Sequence, residues 1–304
     1  MKIIMRDKIR YPFTLLTRLG LVMLLFLTAC NDDPYMPETQ PPVIEIGSGD
    51  ASFGANNDAQ SLLGSLKVMS FNIHILNPPS KPGETDLAAT TKVITDANPD
   101  IVFLQEVDKN TGRNGYSGDQ AKDLAALTSM NHVFYSASPV GRGFYGVAIL
   151  SKYPLKTVKK YLLTKESDAT EQRVLGTAVI DLPGIDSLTL AATHLQHNSA
   201  NNRLQQVKDI TRLLGTVKGP VIIGGDLNEM ESATDFFAVF DGAFTRTCVG
   251  GNCPPTFSAQ LPRSVIDYIA YKPSNSFSVS SHTVVSNNYA SDHLPVVAEL
   301  KFTR

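Results

Sequence analysis

Apolar positions along this chain recur at two spacings, every second residue and every third or fourth, and the two take turns from about residue 66 onward. Residues 66–74 alternate apolar and polar side chains and end in Phe71-Asn72-Ile73-His74, which predicts a strand with Asn72 and His74 on one side. A helix is expected over 87–97, stopping before Pro99, and Ile101-Val102-Phe103-Leu104 predicts a buried strand over 100–107 that ends in Gln105-Glu106. A further helix is expected over 119–128, then a glycine-rich loop over 141–146 holding Arg142, Phe144 and Tyr145. Strands follow over 147–150, 157–163, 174–181 and 188–193, each bounded by Gly, Pro or Asp. Leu204, Val207, Ile210, Leu213 and Leu214 repeat at helical spacing over 200–214. Val221-Ile222-Ile223 reads as a strand buried on both faces, and 265–269 and 296–300 as the last two strands.

The stretch 220–229 organises the rest. Gly224 and Gly225 let the backbone turn sharply and approach a ligand, and Asp226 and Asn228 follow just past the strand end, where open sheets present chemistry. By itself the run also fits a turn that caps a helix starting near Glu231. The remaining polar residues shift the weight. Asn72, Glu106, His194, Asp226, Asn228, Asp267, Asp292 and His293 all fall in or beside predicted strands, most of them at the ends. Asp267 is placed in mid-strand, where an ionised group is rarely found without a partner. Together they supply hard oxygen ligands for Mg²⁺ or Mn²⁺, a base, and imidazoles to meet developing charge, the parts for metal-assisted phosphoester hydrolysis. The loop at 141–146 lacks the Lys-Ser or Lys-Thr of a nucleotide-cradling loop.

Composition changes the picture at the N-terminus. Lys2, Arg6, Lys8, Arg10 and Arg18 precede an apolar run over 19–27 that is too short to span a bilayer, the pattern of a signal peptide over 1–30. Leu27-Thr28-Ala29-Cys30 resembles a bacterial lipobox, which implies lipidation at Cys30; the alternative is an ordinary secreted protein cut nearby. Either way the protein is expected outside the cytoplasm, and the lipobox reading tethers it to a bacterial membrane. Residues 31–64, rich in Pro, Gly, Ser, Asn and Asp, read as a disordered tether, leaving 65–304 as one domain.

The whole chain holds 27 Lys and Arg against 29 Asp and Glu. Residues 1–29 carry five of the former and one of the latter, so the remainder has 22 against 28, a formal net charge of −6. A tight binder of long nucleic acid normally shows a basic patch, so the charge favours a small or lipid-type phosphoester. With Cys30 assigned to the anchor, Cys248 and Cys253 remain as a pair able to close a small loop disulfide.

The ordered motifs Phe71-Asn72, Gln105-Glu106, Thr193-His194-Leu195, Gly225-Asp226-Leu227-Asn228, Ile266-Asp267-Tyr268 and Ser291-Asp292-His293-Leu294-Pro295 resemble the endonuclease/exonuclease/phosphatase superfamily, whose fold is DNase I-like. The resemblance implies an α/β fold, a four-layer α/β/β/α sandwich of two mixed sheets. It implies Glu106 as principal Mg²⁺ ligand with Asn72 beside it and Asp292 as a further metal-side carboxylate. Asp226 matches the residue that orients or deprotonates water, and Asn228 its partner at the phosphate. His293 and His194 match phosphate-contacting imidazoles, with Asp267 fixing the tautomer of His293. His74 stands where some nuclease members carry an Asp, and joins Arg113, Arg173 and Tyr145 as candidate substrate contacts. The expected protein is a monomeric, membrane-tethered phosphoesterase. Alternatives are an extracytoplasmic nuclease acting on DNA or RNA, and an inactive surface binding protein on the same fold.

Overall fold

The computed structural model of the chain describes residues 43–47, 49–55, 57–184 and 186–303. The expected leader, its Cys30 and the first part of the tether, 31–42, lie outside the described residues. In chain order the strands are β1 (Val43–Gly47), β2 (Ser65–Asn72), β3 (Ile101–Lys109), β4 (Asn131–Val140), β5 (Gly143–Ser151), β6 (Leu155–Leu162), β7 (Val174–Leu182), β8 (Asp186–His194), β9 (Val221–Asp226), β10 (Thr245–Arg246), β11 (Asp267–Lys272), β12 (Phe277–Val284) and β13 (Val296–Phe302). The helices are α1 (Leu87–Ala97), α2 (Gln120–Thr128), α3 (Ala200–Gly215) and α4 (Thr234–Asp241).

One sheet has the strand order β1-β6-β7-β8-β9-β11-β10 and the other β12-β13-β2-β3-β5-β4. Each holds one parallel pair, β8 with β9 and β2 with β3, among antiparallel neighbours, so both sheets are mixed. A parallel pair needs a crossover, and here helices supply it: α1 joins β2 to β3, and α3 joins β8 to β9. The inner faces meet through Leu66, Val68, Ile101 and Phe103 on one side and Leu190, Ala192 and Ile222 on the other. Met69, Val102 and Leu104 turn outward to Val93, Ile94 and Leu124 of α1 and α2. On the opposite outer face Ala191, Val221 and Ile223 pack on Val207 and Ile210 of α3 and Phe236 and Phe240 of α4. The result is the four-layer α/β/β/α sandwich that the resemblance implied.

Strict alternation along a strand fixes where the polar ends point. Asn72 continues the inward row of Leu66 and Val68, and Asp226 that of Ile222 and Gly224, so both enter the seam between the sheets. The glycines do not turn the chain. Gly224 and Gly225 lie inside β9, paired with Ile269 and Tyr268. A Cβ on Gly224 would stand 2.2 Å from the ring of Phe103 in the facing sheet, and one on Gly225 2.3 Å from the Thr193 carbonyl. They serve the close approach of sheet to sheet and of strand to strand, not the approach of a ligand.

Four other expectations are corrected. β2 ends at Asn72, and His74, Ile75 and Leu76 turn left-handed with φ of 46°, 52° and 59°, which takes His74 off the face of Asn72. Asp267 opens β11 instead of standing in its middle. The 141–146 stretch is the tip of the β4–β5 hairpin, with β5 already running from Gly143. The tether is shorter than 31–64. β1 pairs antiparallel with β6, Phe53 exchanges two hydrogen bonds with the Asn131 amide at 2.9 and 3.0 Å, and buried Asn57 donates to the Asp181 carbonyl. A segment poor in apolar groups is held here by hydrogen bonds to the sheet edge and to buried amides.

Candidate active site

The ends of both parallel pairs meet at Asp226, which is 1% exposed. Its Oδ1 accepts the Asn228 backbone N–H at 2.8 Å, a short local bond made while Asn228 adopts a left-handed φ of 51°. Oδ2 accepts Asn72 Nδ2 at 3.1 Å from the opposite sheet and lies 3.4 Å from His194 Nε2 and 3.7 Å from His293 Nε2. No residue of the α4 N-terminus bonds to this carboxylate. The helix begins only at Thr234 with no side-chain cap, so the capping alternative for Asp226 fails. Burial, then the nearby Asp267 charge, raise the Asp226 carboxyl from 3.8 to about 7.

His293 stands before β13. Its backbone N–H donates to Ser291 Oγ at 3.1 Å, and that hydroxyl donates to the Asn72 carbonyl at 2.7 Å, which ties the loop to β2. The ring packs on Phe257, centroids 4.8 Å apart, and Nδ1 donates to Asp267 Oδ2 at 2.9 Å. Burial works against a charged imidazole, but Asp267 and then Asp226 outweigh it and raise His293 from 6.5 to about 10. At neutral pH it is a cation with Nε2–H turned to Asp226.

His194 is its opposite. Arg173 is 3% exposed and places Nη1 3.0 Å from His194 Nδ1. A guanidinium only donates, so the Arg173 contact makes Nδ1 the acceptor and puts the proton on Nε2, against the Asn228 Nδ2 donor 3.0 Å from Nε2, which favours the other tautomer. Burial, with the Arg173 charge behind it, holds His194 well below the usual imidazole range. The ring is a neutral donor aimed at Asp226 Oδ2. Glu171 pairs with Arg173 Nη2 at 3.1 Å, and the Tyr145 hydroxyl lies 3.5 Å from the same Nδ1.

Glu106 reaches the site by a β-bulge. The pairing of β3 with β5 slips between Leu104 and Val107, and Glu106 takes a φ of 54°, which re-aims its carboxylate. Asn72 Nδ2 donates to Glu106 Oε1 at 3.2 Å, while Asn72 Oδ1 accepts the His74 backbone N–H at 3.0 Å. Asn72 therefore turns its nitrogen, not its oxygen, to Glu106 and Asp226. That makes it a bridge holding two carboxylates, beside the Glu106 oxygen expected to take the metal.

One cluster and one single carboxylate offer ligand atoms to a cation. Asp226, Asp267 and His293 offer atoms within 4.8 Å of one another, but a cation there would displace the His293–Asp267 proton. The half-buried Glu106 carboxylate, bonded through a single amide hydrogen, fits a hard divalent ion that keeps several waters and takes one carboxylate plus phosphate oxygens. Asp292 Oδ1 lies 3.8 Å from His74 Nδ1, and His74 Nδ1 is 2.8 Å from the Asn77 carbonyl.

The structure thus gathers Asn72, Glu106, His194, Asp226, Asn228, Asp267 and His293, with Arg173 and Tyr145 behind His194. Arg113 stands to one side, and His74 and Asp292 pair at the rim. Asn228 Nδ2 donates to the Leu195 carbonyl at 3.1 Å and lies 3.0 Å from His194 Nε2. Cys248 and Cys253 form a disulfide with an S–S distance of 2.10 Å. Sequence reasoning assigned no part to Glu171, Phe257, Ser291 or Asp108. Glu171 pairs with a side chain only two residues away, while Phe257 and Ser291 meet partners distant in sequence; of the four, only Ser291 lay within a motif already singled out, and Asp108 falls two residues past Glu106.

The Endonuclease/Exonuclease/phosphatase family model matches residues 69–293. Among solved structures, an endonuclease/exonuclease/phosphatase from Beutenbergia cavernae DSM 12333 is 25% identical, with a TM-score of 0.67 over 79% of this chain and 72% of that one. The mannosyl-6-phosphatase Bt3783 of Bacteroides thetaiotaomicron VPI-5482 is 18% identical, with a TM-score of 0.61 over 78% and 100%. The human Nocturnin catalytic domain with bound sulfate is 20% identical, with a TM-score of 0.63 over 88% and 100%. The last two likenesses show the shared fold. No curated protein sequence matches the chain. The match spans every strand-end candidate from Asn72 to His293 and the fold agrees with it: the chain belongs to the endonuclease/exonuclease/phosphatase family.

Proposed function

We propose that this protein is a divalent-metal-dependent phosphoesterase that hydrolyses its substrate by in-line attack of water, with small or lipid-type phosphoesters ahead of nucleic acid. The observation that carries this reading is the convergence on Asp226 Oδ2 of one amide, one neutral imidazole and one charged imidazole. Glu106 would hold a Mg²⁺ or Mn²⁺ ion, which supplies charge to the phosphoryl oxygens. Asp226, with a pKa near neutrality, takes the proton of the attacking water. His293 and His194 then donate from Nε2 to the phosphoryl oxygens, one with full charge and one as a fixed dipole. Asp267 keeps His293 charged, Arg173 keeps His194 in its donor tautomer, and Asn72 spaces Glu106 from Asp226. Ser291 Oγ, next to His293 in the loop, is buried and spent on the Asn72 carbonyl, in keeping with direct attack by water. In the same reading the leader and Cys30 put the enzyme on a bacterial membrane outside the cytoplasm, and the net charge of −6 disfavours long nucleic acid.

The test is hydrolysis by the full chain of a chromogenic phosphodiester, sugar and inositol phosphates, sphingomyelin, RNA and plasmid DNA, with Mg²⁺, Mn²⁺ or chelator. The reading predicts turnover that chelator abolishes and metal restores. Turnover indifferent to chelator, or none on any member of the panel by folded protein, would refute it, and preference for plasmid would make the enzyme a nuclease.

A further inference from the structure

Two residues beyond Glu106 on β3, Asp108 is 1% exposed and holds a clamp. Thr111 Oγ1 donates to its Oδ2 at 2.6 Å, Arg113 Nε to Oδ2 at 2.8 Å, and Arg113 Nη2 to Oδ1 at 2.5 Å. The guanidinium so fixed lies over the Tyr145 ring, 5.1 Å from its centroid. The Tyr145 hydroxyl is in turn 3.5 Å from His194 Nδ1. One aromatic ring therefore separates the Arg113 guanidinium from an imidazole of the catalytic cluster, and its charge also acts on Glu106. Nη1 takes no part in the bonds to Asp108, and the side chain is 37% exposed.

A cation needed only to neutralise Asp108 would be best buried with it. Here the guanidinium keeps more than a third of its side chain exposed while Asp108 holds two of its nitrogens and Tyr145 lies against its plane. A guanidinium so held binds an anion with little further loss of side-chain freedom, and its geometry suits phosphate oxygens. Because Asp108 cancels the net charge, the attraction is short-ranged and selects by shape more than by steering.

Resting on the phosphoesterase reading, we propose that Arg113, braced by Asp108 and stacked on Tyr145, is a subsite for a second phosphate of the substrate, about one aromatic ring away from the phosphoester that is cleaved. The preferred substrates then carry two phosphate groups, either neighbouring phosphates of a nucleic acid strand or the two phosphates of a small bisphosphorylated molecule.

The test is calorimetric titration of the full chain with Mg²⁺, in an Asp226→Asn background that prevents turnover. The probes are two pairs: thymidine 5′-phosphate against thymidine 3′,5′-bisphosphate, and glucose 6-phosphate against glucose 1,6-bisphosphate. At least one bisphosphate should bind about 10- to 100-fold tighter than its monophosphate, the range of one or two charge-assisted hydrogen bonds, and Arg113→Gln should reduce that advantage to less than about threefold. If Arg113→Gln does not fold because Asp108 is left unpaired, the double variant Asp108→Asn/Arg113→Gln removes both charges and serves instead. An advantage confined to the nucleotide pair supports the subsite with a nucleic acid source, and one confined to the sugar pair supports it with a small-molecule source. No advantage in either pair, or one that survives loss of Arg113, overturns the subsite. Failure of turnover in the unmodified enzyme with the advantage intact would refute the phosphoesterase reading and not the subsite.

Discussion

A buried carboxylate next to another carboxylate is costly to ionise, and Asp226 is such a group. Its pKa in the folded chain, about 7, lies above the ordinary 3.8, so between those values the folded state binds a proton that the unfolded chain has released. Stability contributed by this group is therefore present at low pH and lost as pH rises through about 7. His293 also has a raised pKa, and its contribution is present below 6.5 and lost only as pH rises through about 10. At pH 8 Asp226 penalises the fold while His293 still supports it. Measured in chelator by denaturant unfolding, Asp226→Asn should exceed the native chain in stability at pH 8 by on the order of 1 to 3 kcal/mol, with the gap closing toward pH 4. Equal stability at pH 8 would contradict the charge arrangement described above. Asp226, Asp267 and His293 were legible in sequence because each sits in a short motif at a strand end. The orientation of the Asn72 amide and the hold of Arg173 on His194 were not, since both depend on which distant strands lie side by side.

Among the elements, the strands that the sequence pattern missed entirely, β1, β4, β10 and β12, are the four edges of the two sheets. An edge strand pairs on one side only and is partly open to solvent, so it carries Ser, Thr and Pro without a clear apolar stripe, as 131–140 and 277–284 do. The central strands and all three long helices were legible because both faces, or one full stripe, must be apolar. The glycines of β9 were seen but misread. Their purpose depends on Phe103, more than a hundred residues away, whose ring occupies the space a Gly224 side chain would take. Gly224→Ala should destabilise the fold by about 1 to 3 kcal/mol through overpacking, and Phe103→Leu in the same chain should recover part of that loss. Additive losses in the double-mutant cycle would show that the two residues do not share that space.

At the level of the whole molecule, each sheet contributes one parallel pair, and the site forms only where the ends of the two pairs face one another. Asn72 and Glu106 come from one sheet, His194 and Asp226 from the other, so the packing that buries the shared core also sets the spacing of base, imidazoles and metal-side carboxylate. This placement was legible only in outline: alternating strands and helices gave the layers, and the resemblance gave the pairing of motifs. The distances came from the packed sheets. Among the described residues no helix is long and apolar enough to cross a membrane. The central claim is that Asp226 is the base of a metal-dependent phosphoesterase. The most direct measurement is kcat/KM for Mg²⁺-dependent hydrolysis of a chromogenic phosphodiester by the full chain and by Asp226→Asn. The account predicts a fall of about 10² to 10⁴ in a variant that remains folded. A variant that keeps its rate within about threefold would contradict it.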